Sequence, residues 1–176
     1  MDVASACCGR SEFNQCAMKL KGETMWDLRT RQDAFGTTFQ WLEATYSIPV
    51  AAAPAEDQVL ITAYIVFHPD FHVPQLGFFA SSLLSVDELR AALPGLCFMN
   101  AVLETSSGVD AVSTRPLVSC SWNDEAQQYM WLVHPCDTEN LIRRSRYNGA
   151  QGDILVVFVR AMLKYFPLAP SLIPSA

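Results

Sequence analysis

The chain is short of charge, of basic residues and of long apolar runs, and each shortage excludes a class of protein. Only 17% of its 176 residues are charged, against 51% hydrophobic, a balance that excludes wholesale disorder. Lys and Arg number 12 against 18 Asp and Glu, a net charge of −6. That deficit argues against a general nucleic-acid binder and against a protein held to anionic membranes, whose contact surfaces are basic. The longest apolar run, Ile154 to Val159, is far too short for a bilayer, and Arg160 and Lys164 cut its continuation, so no stable membrane insertion is expected. The N-terminus carries Asp2 and no basic stretch leading into an apolar one, so no secretory signal is read there. A reduced, cytoplasmic setting is the expectation. No Cys-x-x-Cys pair occurs, which removes the zinc-ribbon pattern.

What is present fits one domain with a sizeable core. Residues 1–10 read as a mobile leader, 11–166 as a single domain, and 167–176, with Pro167, Pro170 and Pro174, as a disordered tail. Ser11 is the expected cap of a first helix carrying Phe13, Cys16, Ala17 and Leu20, with Gly22 past its end. Trp26 and Leu28 mark a short edge strand, and Thr37 to Ile48 favours a second strand. Gln58 to Phe67 is the clearest strand, with Val59, Ile61, Ala63, Ile65 and Phe67 on one face. The chain turns through His68–His72 into Val73 to Ala80, where Pro74 suggests a bulge or an edge. Ser85 and Glu88 form a capping box for a short helix that Pro94-Gly95 stops. Pro116 to Trp122 and Gln128 to Val133 read as a second hairpin, Leu96 to Asp110 is ambiguous, and helices follow Cys136 and Asp153. The order predicts an α+β fold, an antiparallel sheet with helices packed on one face.

Six cysteines occur: Cys7, Cys8, Cys16, Cys97, Cys120 and Cys136. Most are expected to be small buried hydrophobes, and Trp26, Trp41, Trp122 and Trp131 are expected in the core. Cys136 stands apart. It follows an apolar strand, His134 and Pro135, and precedes two good helix-capping residues, Asp137 and Thr138. With either as the cap, Cys136 lies beside a helix N-terminus, where backbone N–H groups favour a negatively charged sulfur and Asp137 opposes it. A buried structural cysteine is the competing reading. His68 and His72 have the spacing of a helical metal pair, but Pro69 and the flanking strands argue against a helix, and no metal site is expected. Arg143, Arg144 and Arg146 read as charges complementing a helix C-terminus or as a docking patch. Cys120, on the strand beside the motif, reads as a packing residue or a redox partner of Cys136.

The string His134-Pro135-Cys136-Asp137-Thr138 resembles the active-site motif of the autophagy E2-like conjugating enzymes. The block Tyr64 to Phe79, with its aromatic-x-Val-Pro turn exit at Phe71 to Pro74, resembles the strand-turn-strand hairpin of the same family. The likeness covers roughly residues 58–142, while the N-terminal third matches in element order only. It implies an E2-like sheet-and-helix fold and a cysteine, Cys136, that carries a ubiquitin-like protein as a thioester, with His134, Pro135, Asp137, Thr138 and Phe71 in support. The shorter of the family's two enzymes fits, because the longer one has an acidic insertion that is missing here. The implied partners are an E1-like activating enzyme (autophagy-related protein seven), the modifier autophagy-related protein twelve, and a lysine of the acceptor autophagy-related protein five. No metal or cofactor is implied, and ATP is used by the activating enzyme.

Phe71 departs from the pattern, because the family commonly has a tyrosine there, near the catalytic cysteine. Nor does the chain contain the His-Pro-Asn asparagine that steadies the oxyanion in ubiquitin E2 enzymes, which makes His134 the candidate for a comparable contact. A non-catalytic E2-like binding module is the competing function, supported by Phe71. A cysteine hydrolase would need a distant histidine, and only His68 and His72 are available. Acceptor recognition is expected at a strand edge, with the Gln58–Phe67 and Val73–Ala80 hairpin and the early Trp26 strand as candidates.

Overall fold

The computed structural model describes residues 6–49, 58–80, 85–99 and 115–175. The elements run α1 (Arg10–Glu23), β1 (Asp27–Gln32), β2 (Thr38–Pro49), β3 (Gln58–His68), β4 (Val73–Ala80), α2 (Val86–Ala92), β5 (Cys97–Phe98), β6 (Leu117–Asn123), β7 (Gln128–Val133), α3 (Pro135–Tyr147), α4 (Ile154–Met162) and a 3-10 turn (Pro170–Leu172). The seven strands form one sheet in the order β1-β2-β3-β4-β7-β6-β5, antiparallel except for β5 beside β6. This is the expected α+β architecture.

Alternation decides which face is covered. Val59, Ile61, Ala63, Ile65 and Phe67 all point to the helical side and are buried there with Phe13 and Leu20 of α1 and with α4. Ile154 to Val159 are buried without exception, so α4 is apolar all round and lies inside the layer rather than on it. It starts where the Asp153 carboxylate accepts the Val156 N–H at 3.0 Å. The Ser85–Glu88 capping box starts α2, with both reciprocal bonds present.

Several expectations are corrected. Helix α1 begins at Arg10 with Gly9 as its cap, one residue before Ser11, and Gly22 lies inside it. Part of the leader is packed: Ala6 and Cys8 are buried, and the Cys8 N–H donates to the His72 carbonyl at 2.7 Å. The tail is packed as well. Leu172 is buried, its carbonyl accepts the Trp26 indole N–H at 2.9 Å, and the Ser171 carbonyl accepts the Met25 N–H. Three prolines fix the backbone there without preventing one leucine from filling the core. Pro74 sits on an interior strand, where the β4–β7 ladder spans only Gly77 and Phe78 and so never reaches the proline. For the same reason β3 and β4 are not edges. Among the described residues the sheet ends at β1 and β5. Residues 50–54 and most of the ambiguous Leu96–Asp110 stretch lie outside the described residues.

The brevity of the β4–β7 ladder has a larger consequence. Beyond Phe78 the β6–β7 hairpin bends back over the helix-free face of the sheet. Met130 and Leu132 bury Tyr64 and Val66 there, with Trp41 and Ala126 packed alongside. A Cβ on Gly77 would press against the Met130 sulfur and the Leu132 side chain, so a glycine lets the hairpin cross closely here. The hairpin tip is fastened by arginines of α1 and β1. Arg10 pairs with Glu125 at 2.5 Å while lying over the Phe67 ring, and Arg31 donates to the carbonyls of Asp124 and Glu125.

Candidate active site

β7 delivers the motif to the start of α3. Pro135 disfavours a helical conformation in the residue before it, and His134 accordingly has φ −61° and ψ 132°. Pro135 is the first helical residue, where its missing N–H costs nothing. The cap is therefore His134, not Asp137 or Thr138: its Nδ1 accepts the Cys136 N–H at 3.3 Å. Cys136 thus occupies the first turn of α3, with an exposed side chain.

The neighbours hold this turn in place. The Asp137 carboxylate accepts the Leu117 N–H at 2.8 Å and ties α3 to β6. The His134 N–H donates to the Leu117 carbonyl at 2.8 Å. Thr138 is completely buried, and its hydroxyl has no hydrogen-bond partner. Pro135 is buried. Phe71 comes from the β3–β4 turn, half-exposed, with its ring 6.4 Å from the His134 ring in an edge-on arrangement. On its other side the His68 ring lies 5.1 Å away, and the His68 Nδ1 accepts the Phe71 N–H at 3.4 Å. The Phe71 ring thus contacts both the His68 ring and the ring of His134, the cap before Cys136.

Both imidazoles use Nδ1 as an acceptor. In the neutral ring that leaves the proton on Nε2, so each presents a single outward N–H donor. Burial holds the His68 imidazole below its ordinary range, with Asp70 opposing and His134 reinforcing the shift. The His72 ring lies against Phe67 while the His68 ring lies against Phe71.

The cysteines divide unlike the expectation, because only Cys8 and Cys16 are buried. Burial, with Glu12 next, pushes the Cys8 thiol up to about 12, and burial also raises Cys16. Cys120 is exposed and does not serve the core. Opposite Trp131, it lies on the face of the hairpin that looks away from the sheet, beside the exposed Trp122 and Tyr129. Trp122 is thus a surface residue, whereas Trp26 is buried. Of the arginines, Arg146 donates to the Gly152 carbonyl beyond the end of α3, and Arg143 pairs with Glu139 within the helix.

A cleft of about 520 Å³ opens beside the motif. His134 and Pro135 stand at one end and the Arg10–Glu125 pair at the other. Ser119 and Ser121 of the hairpin face His68 and Asp70 across it. The Gln75 amide donates to the Val133 carbonyl at 2.7 Å, where β4 and β7 have splayed apart. In the sequence His68 stands out only as half of a metal-like pair or as the distant histidine of a hydrolase, and Gln75, Arg10 and Glu125 do not stand out at all. Arg10 and Glu125 are 115 positions apart, and no local pattern announces their meeting.

The site thus holds an exposed cysteine on the first turn of a helix, a histidine whose ring caps that turn, and a polar cleft alongside. Residues 17–171 match the family described as autophagocytosis associated protein, active-site domain. No curated protein gives a significant match. A match over most of the chain shows that it belongs to the autophagocytosis-associated family of E2-like proteins, through their active-site domain.

Proposed function

We propose that this chain is the shorter conjugating enzyme of the family, autophagy-related protein ten. In this reading Cys136 accepts autophagy-related protein twelve from the activating enzyme, autophagy-related protein seven, and passes it to a lysine of autophagy-related protein five. An E2-like role in autophagy conjugation follows from the family; the individual partners are supported by the motif and by the lack of a long acidic insertion between residues 58 and 142. The observation that carries the chemistry is the exposed Cys136 in the first turn of α3, with its N–H held by His134.

The Cys136 thiolate attacks the carbonyl carbon of the modifier's C-terminal glycine, and the activating enzyme's sulfur leaves. The neutral amine of the acceptor lysine then attacks the new thioester. The amine loses a proton, and the Cys136 sulfur departs as thiolate. The oxyanion formed in each step needs a donor, and the His134 Nε2–H is the group at the cleft rim suited to give one.

Phe71 favours a second reading, a binding module of the same fold, because its ring supplies no hydroxyl beside His134. Reconstitution with the activating enzyme, ATP, modifier and acceptor separates them on a non-reducing gel. The transferase gives a modifier-linked band that reductant removes, then an isopeptide-linked acceptor. A binding module gives neither, and a hydrolase would release free modifier.

A further inference from the structure

We infer that the uncovered half of the outer edge of β2 is a docking groove for an extended segment of a partner protein, one that alternates apolar with basic residues. The strand register shows the opening. β1 pairs with β2 only from Thr38 to Glu43, whereas β3 pairs with it from Leu42 to Pro49. Among the described residues, no backbone group pairs with the outer edge of β2 beyond Glu43. Ala44 to Ile48 therefore turn every second N–H and C=O outward with no strand to receive them. The stretch contains no charged residue and no proline, the usual guards of an open edge.

A cavity of about 420 Å³ lies along this edge, an ordinary volume for a ligand site. Its two walls differ because the two faces of β2 differ. On the helical side stand Tyr46, Ala169 and Leu172, which pack with the core. The C-terminal tail builds this wall, held where the Ser171 carbonyl accepts the Met25 N–H at 2.9 Å. Met25 also lines the groove and is 73% exposed, a flexible apolar side chain without a fixed neighbour to fill. On the helix-free side stand Asp27, Arg29 and Glu43. Arg29 lies 3.4 Å from Glu43 and 3.9 Å from Asp27, so one cation serves two carboxylates and one negative charge is left over. The Asp27 side chain is 72% exposed.

A strand added to this edge sends its side chains alternately to the two walls. Those facing Tyr46 and Leu172 meet apolar surface, and those facing Asp27 and Glu43 gain from a positive charge. A second copy of this chain fits less well, because its own Ala44–Ile48 edge has no basic residue to meet Asp27. Ala44 to Ile48 pair with Val59 to Ala63, the end of β3 remote from the His68–His72 turn. A partner held there sits away from the Phe71–His134 contact and leaves Cys136 accessible.

The probe is a short blocked peptide that alternates valine with lysine. A valine–glutamate peptide and a lysine peptide with proline at every other position are the controls. The lysine peptide should slow amide exchange within Ala44–Ile48 and leave β1 unchanged. The proline peptide lacks N–H groups for a ladder and should give no such protection. Asp27→Lys should weaken the lysine peptide roughly five- to tenfold and favour the glutamate peptide instead. Asp27→Asn removes the charge without reversing it and should fall between, and thermal unfolding checks that both variants fold. No protection at millimolar lysine peptide, or protection confined to other elements, would overturn the inference. So would equal protection by the lysine and glutamate peptides, equal protection by the proline peptide, or an unchanged preference in Asp27→Lys.

Discussion

The imidazole of His134 accepts the backbone N–H of Cys136 at 3.3 Å, so the histidine two residues before that cysteine is also the cap of the helix that carries it. Two roles in one side chain can be separated by substitution. His134→Ala should lose about 1 kcal/mol of stability, the usual cost of a cap, and should also slow discharge onto lysine by roughly ten- to hundredfold. His134→Asn should restore the cap without restoring the donor at the same place. Denaturant unfolding and single-turnover discharge read the two effects. Recovery of both by asparagine would make His134 purely structural.

The His68 imidazole, held below its ordinary 6.5 by burial, gives a signed pH dependence. A histidine whose folded value is lowered favours the unfolded chain once protons bind. Its contribution is complete above about 6.5 and is lost as pH falls from there through the lowered value. The stability difference between wild type and His68→Gln should therefore be flat from neutral pH upward and should shift against wild type on acidification. Unfolding curves over that range check it, and a difference that grows in favour of wild type on acidification would reverse the sign.

Gly77 permits the crossing of Met130 over the sheet. Gly77→Ala should destabilise the fold by about 1–3 kcal/mol through overpacking, and it should loosen the β6–β7 hairpin before α1 or α4. Amide hydrogen exchange would show faster exchange in the hairpin. Unchanged exchange there, with normal stability, would mean that Met130 simply moves aside.

Acceptor recognition by strand addition would require an accessible strand edge, and the sheet order restricts the choice. With β3 and β4 interior, β1 at Asp27–Gln32 is the long edge among the described residues. Adding acceptor should protect amides of β1 from exchange. Protection confined to α3 and α4 would exclude strand addition.

Much of this was legible in the sequence because it is local. The period-two run from Val59 to Phe67 fixes a strand and its buried face, Ser85 with Glu88 fixes a helix start, and His134-Pro135-Cys136 marks the site. What was illegible depends on distant partners. Pro74 argued for an edge, yet β4 is interior because β7 pairs with it only at Gly77 and Phe78. Cys120 and Trp122 are of types that are usually buried, but the hairpin turns their face to solvent. The proline-rich tail packs through a single residue, Leu172, against Trp26. The cap at His134 did have a local signal, the proline that follows it. Histidine is outside the usual capping set, and so Asp137 and Thr138 drew the attention.

The most direct measurement is the adduct formed when the activating enzyme, ATP and modifier are mixed with the wild-type protein and with Cys136 variants, read on gels with and without reductant and by peptide mass mapping. Wild type should carry the modifier on Cys136 through a bond that reductant breaks. Cys136→Ser should carry it through an oxyester that survives reductant, and Cys136→Ala should carry none. Single changes at Cys7, Cys8, Cys16, Cys97 and Cys120 should leave loading intact. Full thioester formation by Cys136→Ala would contradict the assignment of the nucleophile.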